Sequence, residues 1–374
     1  MVKRTLANRI SEKLFRGNAI LIFGPRQSGK TTLVNSILTS ISKKLLYING
    51  DEFSDREALS QPNVNKLKSL IGKNEIVFID EAQKISEIGN TLKIITDHLK
   101  SVQVIAAGSS SFELANKLNE PLTGRKYEFL ILPFAFSEMV NYTSLFEEQK
   151  NLELRLVYGY YPEIVLKKDE SLDLIKILTN SYLFKDIFSL EGVKNHLLLE
   201  NLVKAIALQI GGEVSINELS RQLGANHNLI EKYLTILEQT YVIYKLSSYC
   251  KNVRNEIRKS KKYYFYDNGI RNAIIGNFAP ISLRTDKGAL WENFIISERI
   301  KYNLYNGRDV KYYFWRTKQQ QEIDLIEEHN GSLSAFEVKW SKNTNLKIPK
   351  TFTNNYSVNK IGLINSGNFF EFLI

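Results

Sequence analysis

The sequence predicts an α/β protein in which helices cover a parallel sheet, and three observations lead to this prediction. Short apolar runs alternate with helical segments through residues 1–140. A glycine-rich loop joins the first apolar run to the first helical segment, and a later apolar run ends in two adjacent acids. Alternating strands and helices are typical of parallel sheets, because the crossover between parallel strands is usually a helix. The predicted strands cover residues 19–23, 45–48, 76–80, 102–107 and 127–132.

The loop after the first predicted strand has the pattern G-x-x-x-x-G-K-T of a phosphate-binding loop (P-loop). It reads Gly24-Pro25-Arg26-Gln27-Ser28-Gly29-Lys30-Thr31, and Thr32 follows it at the start of a helix. Glycines let backbone N–H groups turn toward phosphate oxygens, and the helix N-terminus adds the positive end of its dipole. We expect Lys30 to reach the β- and γ-phosphates and the Thr31 hydroxyl to ligate Mg²⁺. The predicted ligands of residues 24–32 are therefore ATP and Mg²⁺.

The third predicted strand ends in Asp80 and Glu81, the arrangement called Walker B. Asp80 is predicted to hold Mg²⁺, directly or through water, and Glu81 to polarise the attacking water. The fourth strand leads to Ser109 and Ser110, for which two interpretations stay open. These serines contact the γ-phosphate between the two Walker segments, or they cap the next helix.

Arg125 follows a turn and precedes the fifth predicted strand. Arginine stabilises phosphate charge in nucleotide hydrolases, so Arg125 is predicted to be an arginine finger or a phosphate sensor. The sequence leaves open whether it acts within its own subunit or on a neighbouring one.

Composition narrows the classes of protein. The 374 residues carry a net charge of +10, which favours a polyanionic partner such as DNA. The single cysteine, Cys250, excludes an internal disulfide and a cysteine-rich zinc site. No stretch approaches the roughly 18 apolar residues of a membrane span, and the N-terminus lacks a signal-peptide pattern. We therefore expect a cytoplasmic protein without a membrane partner.

Residues 211–250 have the pattern of a winged helix-turn-helix: a short helix ending at Gly224, a second helix, and then a strand. The second helix presents candidate DNA-contacting residues Asn226, His227, Asn228, Glu231 and Lys232. A basic stretch suited to phosphate contact follows and contains Lys251, Arg254, Arg258, Lys259, Lys261 and Lys262. The alternative is a module that binds protein or acts as a spacer.

The last third of the chain predicts a hairpin that carries Asp324 on one strand and Glu337 and Lys339 on the other. Residues two apart on a strand face the same side, so the three groups are expected to converge. Such a set suits Mg²⁺-dependent phosphodiester cleavage, because the acids hold metal and the lysine orients or deprotonates water. Glu292, in an apolar helix, adds a fourth polar group. The alternative is the charged solvent face of an ordinary strand.

These motifs together resemble those of prokaryotic AAA+ ATPases related to the archaeal helicase-loader-like group. The resemblance lies in residues 23–33, 78–83, 122–125, 132–138 and 264–269. In that family an AAA-type P-loop ATPase domain is fused to a conserved C-terminal domain of unknown function, similar to a winged helix followed by a restriction-endonuclease-like, PD-(D/E)xK fold. The resemblance implies ATP binding at Gly29, Lys30 and Thr31, Walker B roles for Asp80 and Glu81, and a nuclease-like triad of Asp324, Glu337 and Lys339, with Glu292 as its helix glutamate.

The predicted architecture has four parts. They are an AAA+ P-loop ATPase domain at 1–140, a helical lid or linker at 141–210, a winged helix-turn-helix at 211–262, and a nuclease-like α/β domain at 263–374. The predicted function is Mg²⁺-dependent ATP binding and hydrolysis, with the nucleotide state controlling a DNA-directed C-terminal half. Two alternatives are a working nuclease and a nucleotide-dependent switch that binds a protein partner and has an inactive nuclease-like domain. A homo-oligomer is a further expectation, by analogy with other AAA modules.

Overall fold

A parallel sheet forms the centre of the N-terminal part of the chain. The computed structural model describes residues 1–109, 122–181, 187–188, 190, 192–250 and 261–374. These residues form two units: the first comprises 1–133 and 239–241, and the second 134–238 and 242–374. The predicted lid residues 141–210 belong to the second unit, and a lid role for them stays a prediction.

Five described strands make up the sheet of the first unit, in the order β2-β3-β4-β1-β5, with all neighbours parallel. The strands are β1 (Ala19–Phe23), β2 (Leu45–Asn49), β3 (Ile76–Asp80), β4 (Gln103–Gly108) and β5 (Lys126–Leu130). The described helices are α1 (Leu6–Ser11), α2 (Lys30–Leu38), α3 (Phe53–Ala58), α4 (Val64–Ile71) and α5 (Ile88–His98). The predicted parallel α/β fold of this part of the chain is confirmed.

Burial explains why the apolar pattern of the sequence predicts these strands. Every residue of β1, β3 and β4 is buried, so the strands appear as continuous apolar runs, as expected for a parallel sheet covered on both faces. The edge strands β2 and β5 are more exposed, and β5 begins and ends earlier than predicted. Around the sheet, a buried apolar cluster includes Leu21, Ile79, Ile88, Leu92 and Ala106.

The second unit begins with short helices. They are α6 (Phe136–Tyr142), α7 (Leu145–Lys150), α8 (Leu152–Tyr158), α9 (Pro162–Leu166) and α10 (Ser171–Thr179), followed later by α11 (His196–Leu208). The predicted helix-turn-helix corresponds to α12 (Ile216–Leu223) and α13 (His227–Gln239). Between them, Gly224 adopts the left-handed conformation (φ 61°) that commonly ends a helix.

Seven described strands form the mixed sheet of the second unit, in the order β12-β11-β10-β9-β7-β8-β6. They are β6 (Glu213–Val214), β7 (Ile243–Ser248), β8 (Lys261–Phe265), β9 (Lys311–Arg316), β10 (Glu322–His329), β11 (Ser332–Val338) and β12 (Lys360–Ile364). The remaining helices are α14 (Asn268–Ile275), α15 (Lys287–Tyr305), α16 (Lys350–Asn355) and α17 (Phe369–Leu373). The predicted hairpin is present as β10 and β11, which pair antiparallel.

One strand pairing joins the helix-turn-helix region to the hairpin region. β7 pairs in parallel with β9, with Ser247 opposite Tyr313 and Ser248 opposite Phe314. On its other side, β7 pairs antiparallel with β8. The domain boundary predicted at residue 262 therefore falls inside β8, and the residues on either side of it share one sheet. Tyr249, directly after β7, also packs against the apolar cluster that contains Trp315 and Phe352.

Candidate functional site

The loop between β1 and α2 has a backbone that only glycine fits at its first position. Gly24 has φ 156°, and a Cβ atom there would lie 2.0 Å from the carbonyl oxygen of Ile131. Gly29, with φ 93°, is the N-cap of α2. The glycines of the predicted P-loop therefore shape the backbone that leads into the N-terminus of α2.

Lys30 is buried inside this loop. Its Nζ donates hydrogen bonds to the carbonyl oxygens of Gly24, at 3.0 Å, and Pro25, at 2.9 Å. Burial lowers the pKa of Lys30 to about 8, although the carboxylates of Glu81 and Asp80 act in the opposite direction. An incoming anionic phosphate would favour the charged form of this lysine.

The two predicted Mg²⁺ ligands lie side by side. Thr31, in the first turn of α2, donates a hydrogen bond from Oγ1 to Oδ2 of Asp80, over 2.6 Å. Asp80 is 7% exposed at the end of β3, and the Tyr47 hydroxyl lies 3.4 Å from the same carboxylate oxygen. Hydroxyl and carboxylate oxygens are the ligands that Mg²⁺ takes in P-loop proteins. These residues therefore fit a magnesium–nucleotide ligand.

Glu81 is held by two neighbours. The Gln83 amide donates hydrogen bonds from Nε2 to Oε2 of Glu81, at 2.6 Å, and to Oγ of Ser109, at 2.9 Å. The Ser109 hydroxyl lies 3.4 Å from the same glutamate oxygen. Glu81 itself has a left-handed backbone, with φ 46° and ψ 42°. Gln83 lies in the segment 78–83 that carries the family resemblance, but the sequence predicts no role for it, although its position two residues after an acid at a strand end is a usable signal.

The other predicted loop residues differ in exposure. Ser28 is fully buried and donates a hydrogen bond to the carbonyl oxygen of Pro25, at 2.8 Å. Arg26 is half-buried, whereas Gln27 and Thr32 are exposed. Ser110, the second serine of the predicted sensor, lies outside the described residues, so the choice between sensing and capping stays open for it.

Arg125 lies at the opposite end of the sheet from its own P-loop. β5 runs parallel to β1, with Lys126 opposite Ala19 and Leu130 opposite Phe23, the residue that precedes the loop. Five residues of strand span about 16 Å. The Arg125 side chain instead forms an ion pair with Asp97, at 2.7 Å between Nε and Oδ1. In this arrangement Arg125 does not contact its own P-loop, which favours action on a neighbouring subunit, and either role stays a prediction.

In the second unit, the predicted triad converges. Leu325 pairs with Phe336, so one step along the register Asp324 lies opposite Glu337. Lys339 Nζ lies 3.0 Å from Asp324 Oδ2 and 3.4 Å from Glu337 Oε1. Lys339 itself, predicted to lie on the strand with Glu337, is one residue past the end of β11 at Val338. Burial acts to lower the pKa of Lys339. The carboxylates of Asp324 and Glu337 outweigh this effect, so the pKa of Lys339 is raised.

Glu292 reaches the same region from α15. The Tyr264 hydroxyl donates a hydrogen bond to Glu292 Oε1 at 2.6 Å, and Lys262 Nζ lies 3.4 Å from that oxygen. Burial raises the pKa of Glu292 to about 7, which Lys262 opposes and Asp324 reinforces. Lys262 also pairs with Glu322 at 2.5 Å. Across the described residues, no group of three or more His, Cys, Asp or Glu side chains is arranged to hold a metal ion.

The position of Lys262 corrects one sequence-based expectation. The sequence predicts Lys262 to be part of a basic stretch that contacts phosphate, but its side chain is 2% exposed and ion-paired with Glu292 and Glu322. It therefore does not contact DNA phosphate. Lys261 is half-buried, while Lys251, Arg254, Arg258 and Lys259 lie outside the described residues. The five predicted contact residues of α13 and its preceding turn are all exposed, namely Asn226, His227, Asn228, Glu231 and Lys232.

The fold and loop geometry define a P-loop domain, and comparison with protein families agrees. Residues 16–140 match the family model described as an AAA domain. Residues 149–280 match a domain of unknown function, DUF8612, and residues 287–370 match a second one, DUF4143. The predicted fusion of an AAA-type P-loop domain to a conserved C-terminal domain of unknown function is thereby confirmed, whereas the winged-helix and nuclease-like parts of that domain stay predictions. No described helix has the length and apolar content needed to cross a membrane.

Relatives of this chain occur in several bacteria. An uncharacterized protein of Mycobacterium tuberculosis is 26% identical over 346 residues, which cover 90% of this chain and 74% of that protein. An uncharacterized protein of Haemophilus influenzae is 27% identical over 284 residues, covering 68% and 69%. Among solved structures, the Thermotoga maritima RuvB Holliday junction branch migration motor aligns at 15% identity with a TM-score of 0.34, covering 65% of this chain and 89% of that one.

Proposed function

We propose that this chain is a Mg²⁺-dependent ATPase. The observation that carries the proposal is the 2.6 Å contact between the Thr31 hydroxyl and the Asp80 carboxylate, beside the buried ammonium of Lys30. A hydroxyl, a carboxylate and a lysine at the N-terminus of a helix match the charge and donor set of a magnesium–nucleoside triphosphate. When bound, Mg²⁺ neutralises developing charge on the phosphates.

Each residue of the site then has a chemical task. Lys30 donates to phosphate oxygens in place of the carbonyl groups of Gly24 and Pro25. Glu81 accepts the proton of the attacking water, and Gln83 holds the Glu81 carboxylate in position for that step. Ser109 accepts a hydrogen bond from the same amide, which supports a role for Ser109 in linking Glu81 to the phosphate that is cleaved.

Two variants test this proposal. Lys30→Ala is expected to lose ATP binding, and Glu81→Gln to keep binding while losing hydrolysis by a factor of about 100 or more. Calorimetry measures binding, and phosphate release measures turnover. Lys339→Ala is the matched control, because it removes a lysine from the second unit and leaves the P-loop intact. Hydrolysis by Lys30→Ala at the wild-type rate would refute the assignment.

For the second unit, we propose that nucleotide state controls a DNA-directed function. The exposed polar residues of α13 and its preceding turn, together with the net charge of +10, support DNA as the partner. Binding of duplex DNA is measured across a salt series with ATP, with ADP and without nucleotide. Affinity is expected to fall steeply with salt and to differ between the nucleotide states. Failure to bind DNA at low salt favours the alternative, a nucleotide-dependent switch for a protein partner.

A second candidate activity is cleavage of nucleic acid. It is favoured by the position of Lys339 between Asp324 and Glu337, two carboxylates paired across β10 and β11. Plasmid is incubated with the full chain and Mg²⁺ or Mn²⁺, and Glu337→Ala is the control. Equal cleavage by both proteins would point to a contaminating nuclease.

A further inference from the structure

A buried arginine near the N-terminus contacts the P-loop from outside the segment that matches the AAA family model. Arg4 precedes α1 and is 6% exposed. Its Nη1 donates a hydrogen bond to the carbonyl oxygen of Ser28, at 2.8 Å, and its Nη2 donates to the carbonyl oxygen of Leu132, at 2.7 Å. The family match begins only at residue 16. One guanidinium therefore connects the P-loop to the chain that follows β5.

The bond to Ser28 has a consequence for the next amide. The carbonyl of Ser28 and the N–H of Gly29 belong to one peptide unit, which is planar and trans, so the two groups point in opposite directions. A donor that fixes the carbonyl on one side therefore fixes the N–H on the other. Gly29 immediately precedes Lys30, and backbone N–H groups at this place in a P-loop bind phosphate oxygens.

The bond to Leu132 restrains the other end of the loop. Leu132 follows Ile131, whose N–H donates to the carbonyl oxygen of Phe23 at 2.8 Å. The carbonyl oxygen of Ile131 occupies the place where a side chain on Gly24 would start. Arg4 thus holds both the segment packed against the first glycine and the peptide that precedes the last glycine of the loop. Its fixed fork of donors suits this two-point contact, which a single ammonium cannot reproduce.

We propose that Arg4 is a positioning residue of the nucleotide site. It orients the Gly29 N–H toward the phosphates and adds a fixed positive charge behind the loop. This inference rests on the proposed binding of ATP. The two hydrogen bonds from Arg4 to Ser28 and Leu132, called the Arg4 clamp below, are nevertheless a property of the nucleotide-free chain. The same contact predicts a stiff P-loop before any ligand arrives, so little ordering is needed on binding.

The test compares Arg4→Met and Arg4→Lys with Lys3→Met. Lys3 is exposed, and its replacement removes the same charge one residue away. Calorimetry with Mg²⁺–ADP and Mg²⁺–ATP is expected to show affinity reduced roughly 10- to 100-fold in Arg4→Met, less in Arg4→Lys, and within about twofold of wild type in Lys3→Met. Arg4→Met with wild-type affinity for both nucleotides would overturn the inference.

Hydrogen exchange on nucleotide-free full chain supplies a readout that does not depend on nucleotide binding. Both Arg4 variants are expected to exchange faster in residues 24–31 while β3 keeps its wild-type protection. Faster exchange throughout the first unit would show a merely structural role and reject the proposal. If Arg4→Met does not fold, the test rests on Arg4→Lys. The Arg4 clamp is refuted if Arg4→Lys has the nucleotide affinity and the hydrogen-exchange rates of the wild type. If the wild-type chain binds neither nucleotide, the proposed ATPase activity is refuted. The hydrogen-exchange comparison still tests whether Arg4 restrains the P-loop.

Discussion

The carboxylate of Glu81 accepts a 2.6 Å hydrogen bond from the side-chain amide of Gln83. Both residues are placed by the end of β3 and by the short turn after it, and Gln83 is 5% exposed. A buried amide on the proposed general base fixes the direction of its free oxygen. The hydrolytic step should therefore depend on a residue that touches neither nucleotide nor metal in the proposed arrangement.

Replacement of Gln83 by alanine should lower kcat for ATP roughly tenfold and leave KM within about twofold, because the lost hydrogen bond to a charged group acts on the base and not on nucleotide binding. Steady-state phosphate release measures both constants. Asn90→Ala, an amide removed from the exposed surface of α5, is the control. A kcat equal to or above that of wild type would show that Gln83 does not position Glu81.

Arg125 is expected to act on a neighbouring copy of the chain, because it lies about 16 Å along the sheet from its own P-loop. Arg125→Ala should bind ATP normally. Its rate of ATP hydrolysis should fall to about one hundredth of the wild-type rate or below. Mixing it with Glu81→Gln, which keeps Arg125, should restore part of the activity, since each variant supplies what the other lacks. Asp97→Asn controls for loss of the ion pair alone. Mixtures with no regained activity would count against a shared site.

Two lysines that each pair with two carboxylates should contribute differently to stability. Lys262 is 2% exposed and Lys339 is 40% exposed. Lys262→Met leaves Glu292 and Glu322 without their buried partner and should lower the free energy of unfolding by about 3 kcal/mol. Lys339→Met should cost less, about 1 kcal/mol, because water reaches and screens the half-exposed ammonium even though Asp324 and Glu337 are largely buried. Urea unfolding followed by fluorescence compares them, and equal losses would contradict this ranking.

The stability of the second unit should depend on Asp286 at acidic pH. Burial acts to raise the pKa of Asp286, but hydrogen bonds from Arg284 and Arg271 lower it to about 2. A carboxyl whose pKa is lower in the folded chain contributes stability above its unfolded pKa of about 4. That contribution is lost as the pH falls through about 2.

Asp286→Asn should therefore be less stable than wild type at pH 7, and the difference should shrink between about pH 4 and pH 2. Urea unfolding at a series of pH values measures this difference. Asp169→Asn, a carboxylate on the exposed surface of the same unit, is the control and should show no such convergence. A constant difference across the range would mean that Asp286 contributes by packing and not by its charge.

Sequence patterns predicted the parts of this protein whose structure is set by residues close together in the chain. β1 and β3 have the predicted bounds because a fully buried strand is a continuous apolar run with polar ends. The contact between Thr31 and Asp80 also followed from local motifs, since the carboxyl ends of all strands in a parallel sheet lie along one edge of it, although β4 separates β1 from β3 here.

Other features depend on contacts between distant residues. Lys262 sits in a basic stretch of sequence, yet it is buried and paired with Glu292 of α15 and Glu322 of β10, and charge along the chain does not reveal burial. Arg4 is one of several cations near the N-terminus until the fold brings it to residues 28 and 132. The direction in which Arg125 faces depended on the pairing of β5 with β1, which no local pattern encodes.

The parallel pairing of β7 with β9 limits how this protein can be divided in the laboratory. The matched segments 149–280 and 287–370 look separable along the chain, but their strands lie next to each other in one hydrogen-bonded sheet. Expressing either segment alone would leave an unpaired strand edge and uncover aromatic side chains, a combination that promotes aggregation. Shortened versions that keep residues 134–374 together should stay in solution, whereas a cut near residue 285 should yield insoluble fragments.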